Sequence, residues 1–79
     1  MPKKQKGTEA EIHALTVKEA KMRLGCGDFA PDFTLRETHG SPNWDVAETR
    51  NEHDWPSDCA QAFSEAVARS RRKVNIAWP

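Results

Sequence analysis

The clearest pattern of apolar and polar positions lies in the C-terminal third of the chain. Small or apolar residues recur there with the i, i+3, i+4, i+7 spacing of an amphipathic helix, at Cys59, Phe63, Ala66, Val67, Ser70 and Val74. After Lys73 the period falls to two, and the apolar positions are then Val74, Ile76 and Trp78. This change predicts a helix that continues directly into a short strand with one buried face.

The residues just before this helix predict where it begins. Ser57 is the predicted N-cap, because its hydroxyl can accept a hydrogen bond from an amide of the first turn, and Asp54 is the alternative. Asp58 then places a negative charge near the positive end of the helix. Trp55, beside Pro56, is predicted to pack over the start of the helix.

An earlier helix is marked by capping signals at two possible start points. Thr16 and Glu19 have the spacing of a capping box, and Gly25 is a suitable residue to end the helix. Thr8 and Glu11 have the same spacing, so an earlier start is the alternative. In both cases the helix has apolar residues on one face.

Two strands of a β-hairpin are predicted between the helices. The ranges 33–38 and 43–47 alternate apolar and polar residues, and residues 39–42 have the composition of a turn. One face of the hairpin carries the apolar residues Phe33, Leu35, Trp44 and Val46. That face needs to be covered, and the two helices are the available cover.

These elements predict an α+β domain with two layers. The expected order is helix, strand, strand, helix, strand, with two helices packed on one face of a small antiparallel or mixed sheet. The C-terminal strand is expected to join the hairpin as a third strand, because an isolated hairpin is only marginally stable in water. Residues 1–9 lack apolar residues that could pack and are predicted to form a disordered basic arm, so the single domain spans residues 10–79.

One segment carries a family resemblance. Residues 15–20, together with Leu24 and Gly25 behind them, resemble the start of the helix-turn-helix domains of excisionase-type DNA-binding proteins. The resemblance implies a second, DNA-reading helix a few residues later. The chain departs from that pattern, because Gly27 and Pro31 disfavour a helix at this point, and no recognition helix is predicted.

The length and the cysteine content limit the ways in which the fold can be stabilised. A domain of 79 residues buries a modest share of its surface, so modest stability is expected. Cys26 and Cys59 allow at most one disulfide.

The first residues are polar and basic with no apolar segment behind them, which predicts a cytoplasmic protein with reduced thiols. No run approaches the ~18 apolar residues of a membrane span, so no membrane partner is expected.

The net charge is zero, but the charges are unevenly distributed. Residues 1–25 carry six basic and three acidic side chains, residues 26–60 carry two and eight, and residues 61–79 carry four and one. A mixed surface needs no partner, whereas a basic cluster can bind phosphates. The candidate nucleic-acid-binding residues are Arg69, Arg71, Arg72, Lys73, Lys18 and Lys21. The first four also lie in the last turn of a helix, where cations stabilise the negative helix end.

Cys59 is the residue that most resembles a catalytic nucleophile. It lies at the start of a helix, which favours the thiolate, and His53 is close in sequence. Asp54 and Asp58 oppose thiolate formation, and Cys59 also belongs to the apolar stripe, so a buried, unreactive thiol is predicted. We therefore predict no catalytic residue and a protein that is not an enzyme.

A zinc site would need to draw on four residues, Cys26, His39, His53 and Cys59. Zinc sites commonly use closely spaced pairs of cysteines or histidines, because one turn then supplies two ligands. No such pair is present in the sequence. We predict no metal ligand and no cofactor.

The sequence thus predicts a small cytoplasmic, non-enzymatic domain that binds another protein of unspecified identity. Trp78, Ile76 and Trp55 are the candidate interaction residues. If the last strand lies at a sheet edge, it can pair with a second chain and form a homodimer. The alternative is a nucleic-acid-binding accessory protein that uses the basic end of the second helix.

Overall fold

The computed structural model of the protein describes residues 5–78. In chain order, the elements are β1 (Gln5–Gly7), α1 (Glu9–Lys21), β2 (Asp32–Glu37), β3 (Trp44–Arg50), a 3-10 turn (Glu52–Asp54), α2 (Ser57–Lys73) and β4 (Val74–Ile76). The predicted α+β class is confirmed, and the two helices pack against each other with the strands beside them.

The strands form two small sheets instead of the single sheet that was predicted. β2 pairs with β3 in antiparallel orientation, and β1 pairs with β4 in parallel orientation. The prediction that β4 extends the hairpin is therefore wrong. Its partner β1 lies in the segment predicted to be a disordered arm, and residues 5–9 of that segment are ordered in β1 and the start of α1. Residues 1–4 lie outside the described residues.

Backbone geometry explains how a segment with so little apolar surface forms a strand. The Gly7 carbonyl accepts the N–H of Ala77 at 2.8 Å, and a Cβ atom at Gly7 would lie 3.3 Å from Cδ1 of Ile12. A side chain at this position would require Ile12 to shift by a few tenths of an ångström, so glycine suits the close approach. Pairing of β1 rests on backbone hydrogen bonds, which an analysis of apolar periodicity does not detect.

Helix α1 begins at the earlier of the two predicted start points. Thr8 is the N-cap, and its hydroxyl and the Glu11 carboxylate form the capping box at 3.1 and 3.2 Å. The Thr16 start is wrong, because Thr16 is fully buried inside the helix and its hydroxyl donates to the Ile12 carbonyl at 2.9 Å. Residues 22–31 form a loop without a second helix, as predicted from Gly27 and Pro31.

The hairpin is confirmed, with its predicted apolar face turned to the core. Phe33, Leu35 and Trp44 are buried and Val46 is half-buried. Leu35 lies opposite Val46 in the register, and an irregularity between Thr34 and Leu35 shifts the pairing by one residue. The other face carries opposite charges across the strands, at the pairs Asp32 with Arg50 and Arg36 with Asp45. Such pairs favour this register.

Helix α2 presents the predicted apolar stripe to the core. Its buried residues are Cys59, Ala62, Phe63, Ala66 and Ser70. The predicted N-cap is wrong, because Ser57 is already the first helical residue and Pro56 occupies the cap position without a side-chain hydrogen bond. The alternative cap, Asp54, belongs to the preceding 3-10 turn. Proline suits this boundary because its fixed φ, −57° here, is compatible with the start of a helix.

A disulfide between Cys26 and Cys59 joins the loop after α1 to the first turn of α2. The burial predicted for Cys59 is confirmed, since it is 3% exposed, but the predicted reduced thiols are wrong in this structure. The two cysteines are 33 residues apart. No local pattern brings them together, because their approach follows from the packing of α1 on α2.

Candidate functional site

Several clefts open on the surface of residues 5–78, and one of them lies along α1. It has a volume of about 580 Å³, and three others have volumes of about 340, 270 and 270 Å³. Its lining residues, which together we name the α1 cleft, are His13, Ala14, Val17, Lys18, Lys21, Ala30 and Pro31. A volume of this size falls within the range of ligand sites in proteins.

One wall of the α1 cleft is a row of residues on the helix itself. His13, Val17 and Lys21 are spaced four apart and therefore lie above one another on one face of α1. The His13 ring stacks on Phe33 with centroids 4.0 Å apart, and its Nε2 donates to the Phe33 carbonyl at 3.2 Å. These contacts fix the ring, so the cleft has a defined shape at the end nearest β2.

The opposite wall, Ala30 and Pro31, is held by contacts behind it. Phe29 is buried, and its ring meets Trp55 edge to face at 5.2 Å. Trp55 in turn meets Phe63 of α2 at 5.1 Å, and the disulfide anchors the same loop through Cys26. The wall is therefore fixed to α2. Trp55 packs at the start of α2 as predicted, and its half-buried ring lies between Phe29 of the loop and Phe63 of α2.

The charged residues that line the α1 cleft, Lys18 and Lys21, are both positive. Lys18 and Lys21 are exposed, no carboxylate is among the lining residues, and no ion pair engages either lysine within residues 5–78. A second cleft, which we name the interhelical cleft, is lined by Glu19, Met22, Arg23, Ala62, Glu65 and Arg69. It differs from the α1 cleft, because its carboxylates Glu19 and Glu65 already have cationic partners. The α1 cleft therefore combines an apolar floor, formed by the aliphatic lining residues Ala14, Val17, Ala30 and Pro31, with two lysines that have no ion pair within residues 5–78.

The basic run at the end of α2 makes contacts within the fold. Glu19, with its side chain only 16% exposed, lies 3.7 Å from Arg69 and 3.8 Å from Lys73. Arg71 donates from Nε to the Trp44 carbonyl at 2.8 Å, and Arg72 is exposed. Lys18 and Lys21 line the α1 cleft, whereas Arg69 lines the interhelical cleft. The six candidate nucleic-acid-binding residues thus do not all line one cleft of the domain.

The candidate interaction residues of the last strand are engaged inside the domain. Ile76 is 2% exposed, and Trp78 is half-buried with its indole N–H donating to the Asn43 carbonyl at 3.1 Å. One edge of β4 pairs with β1, and on the other edge the Asn43 side chain bonds to the backbone of Ile76. Both sides of β4 therefore have partners within the domain, so the condition set for pairing with a second chain, an open edge of this strand, is not met, and the homodimer stays a prediction.

The residues considered for catalysis and metal binding are not assembled into a site. The sulfur of Cys59 is bonded to that of Cys26, so neither offers a thiolate in this state. His53 is 80% exposed beside Asp54 at 3.5 Å. Within residues 5–78, no three or more His, Cys, Asp or Glu side chains are grouped so that they could hold a metal ion.

The sequence identified only part of the α1 cleft. Lys18 and Lys21 were named for their charge, but His13, Ala30 and Pro31 were not assigned to a site. The four-residue spacing of His13, Val17 and Lys21 was a usable signal for one wall. The second wall comes from a loop whose approach to α1 depends on the tertiary fold.

A scan against protein-family models found no match, and searches of curated proteins and of solved structures found none either. No helix of residues 5–78 combines the length and the apolar character needed to cross a bilayer.

Proposed function

We propose that this protein is a non-enzymatic binding domain that takes a short segment of another protein in the α1 cleft. The observation that carries the proposal is the cleft itself, about 580 Å³ in volume, with an aliphatic floor and two exposed lysines at its rim. An apolar floor supplies affinity and a few polar groups supply orientation, which is the usual division in binding sites.

The framework around the cleft supports this proposal. One wall is a helix and the other is a loop tied down by the disulfide and by the packing of Phe29 on Trp55. A preformed site loses less conformational entropy on binding than one that has to be ordered. Occupation of β4 by β1 and Asn43 makes this cleft a better candidate for partner binding than the C-terminal strand.

The cellular location is part of the proposal. We propose a cytoplasmic location, and the disulfide is the observation against it, because structural disulfides are typical of oxidising compartments. The cytoplasmic location therefore stays a prediction that depends on the state of Cys26 and Cys59. Thiol titration of protein purified under alkylating conditions measures that state directly.

The proposal can be tested with a library of displayed random peptides and two matched variants. Ala14 lies on the exposed rim of the cleft, so Ala14→Trp should fill the cleft without disturbing the core. Ala68 is an exposed alanine of α2, and Ala68→Trp is the control. We expect selected peptides to bind the wild type and A68W but to lose at least tenfold in affinity for A14W.

Amide chemical shifts identify the surface that a selected peptide contacts. Perturbations confined to residues 13–21 and 30–31 support the proposal. Peptides that bind A14W and the wild type equally, or that shift only signals elsewhere on the domain, contradict it.

A further inference from the structure

We infer that the segment bound in the α1 cleft is acidic and amphipathic, with carboxylates toward α1 and apolar side chains toward Ala30 and Pro31. This inference rests on the proposed function and names the chemistry of the partner. It follows from the distribution of charge around the two walls of the cleft.

The helical wall carries the positive charge. Lys18 and Lys21 are three residues apart, so they are neighbours on the surface of α1. Neither has an ion pair within residues 5–78. By contrast, three other clefts of residues 5–78 include carboxylates among their lining residues: Glu19 and Glu65 in the first, Glu11 in the second, and Asp28 and Asp54 in the third. Carboxylates of a partner would find cations without an ion pair in the α1 cleft.

The loop wall carries charge of the opposite sign at its ends. Asp28 and Asp32 are exposed and flank the wall residues Ala30 and Pro31 in the chain. A ligand that is negative on every side would be attracted by α1 and repelled near the loop. A segment that is acidic on one edge and apolar on the other avoids this conflict, because it turns its neutral edge to the loop.

The same asymmetry favours a peptide over a nucleic acid. A phosphate backbone carries charge at regular intervals along its length. Proteins that bind single-stranded nucleic acids also offer aromatic side chains on which the bases stack. The floor here is aliphatic, and the ring of His13 is already stacked on Phe33. The chemistry of the cleft therefore fits acidic and aliphatic side chains.

The test uses three synthetic probe peptides that share a central pair of leucines. The flanking residues are glutamates in the first peptide, glutamines in the second and lysines in the third. Each is titrated into the labelled protein while amide shifts are recorded, and a short DNA duplex is titrated as a fourth probe. Exposed ion pairs contribute little individually, so we expect the acidic peptide to bind about five- to twentyfold more tightly than the neutral one.

Two double variants separate the effect of the cleft lysines from that of net charge. Lys18→Gln with Lys21→Gln should abolish the preference for the acidic peptide. Lys6→Gln with Arg72→Gln removes two exposed cations outside the α1 cleft and should leave that preference unchanged. The preference should also decline as salt is raised.

The outcomes distinguish this inference from the function on which it rests. Equal binding of the acidic and neutral peptides in the α1 cleft overturns the acidic partner and leaves the binding function intact. Absence of cleft shifts with every peptide overturns both. Salt-sensitive shifts of Lys18 and Lys21 with DNA alone also overturn both, in favour of nucleic-acid binding.

Discussion

The side-chain amide of Asn43 is paired in both directions with the backbone of Ile76. Its Oδ1 accepts the Ile76 N–H at 2.8 Å, and its Nδ2 donates to the Ile76 carbonyl at 2.8 Å. One side chain thereby satisfies two backbone groups that a neighbouring strand would otherwise satisfy. This pair connects the start of β3 to β4, so the two sheets are joined without a continuous ladder.

Replacing Asn43 by alanine leaves both backbone groups of Ile76 without their partner in a partly buried position. Because each unsatisfied group costs about 1–3 kcal/mol when buried, we expect the free energy of unfolding to fall by about 2–4 kcal/mol. Urea denaturation measures this loss, and the Ile76 amide should exchange faster in D2O. Asn75→Ala is the control, since it removes weaker contacts at 3.3 and 3.4 Å. Equal losses for both variants would contradict a special role for Asn43.

Reduction of the Cys26–Cys59 disulfide should destabilise the domain considerably. The bridge closes a loop with a sequence separation of 33 residues. Chain-entropy arguments for a loop of that length give about 3–4 kcal/mol, which is a large part of the stability of a small domain. Urea midpoints with and without a dithiol reductant, and for the Cys26→Ser variant, measure the effect. Unchanged midpoints together with two titratable thiols in the untreated protein would show that the bridge does not form.

The two possible starts of α1 predict opposite results for two substitutions. Thr8→Ala removes the observed N-cap and should cost about 1 kcal/mol of unfolding free energy. Thr16→Val keeps the shape of a buried side chain and removes its hydroxyl, which donates to the Ile12 carbonyl. Because that carbonyl lies within the helix, we expect the unfolding free energy to change by less than about 1 kcal/mol. Thermal and urea unfolding measure both variants. The reverse ranking would favour a helix that begins at Thr16.

The ion pair between Arg23 and Glu65 links the loop after α1 to α2. The Arg23 guanidinium donates to both carboxylate oxygens of Glu65, at 2.8 and 3.1 Å, while the two side chains are 33% and 40% exposed. Exposure limits the coupling energy to about 0.2–1 kcal/mol. A double-mutant cycle with Arg23→Ala and Glu65→Ala measures it, and it should shrink in salt of about 1 M.

A cycle between Lys21→Ala and Glu65→Ala serves as the control for the Arg23 cycle. Lys21 lines the α1 cleft and Glu65 lines the interhelical cleft, so no coupling is expected. Similar coupling in the two cycles would indicate a general effect of charge and would argue against a specific pair.

The site was less predictable than the elements that build it. Lys18 and Lys21 could be found from their charge alone. Whether they share a surface with Arg69 depends on how α1 and α2 are rotated about their own axes in the fold, which the sequence does not specify. Glu19 shows the reason, because it lies near Arg69 and Lys73, while Lys18, the residue before it, points to the α1 cleft. Adjacent residues on a helix are about 100° apart around its axis, so neighbours in the sequence can belong to different surfaces of the domain.

The sequence by itself determined the elements whose signals are local. The apolar stripe of α2, the alternating face of the hairpin and the strand after Lys73 all follow from side-chain periodicity, which records the face that each element buries. The tertiary structure alone decided the pairing of β1 with β4, the closure of β4 by Asn43 and the bond between Cys26 and Cys59. These contacts join residues far apart in the chain through backbone groups, one amide and two sulfurs. These residues come into contact only because of the way the helices pack, and the periodicity of apolar residues in the sequence carries no signal for such contacts.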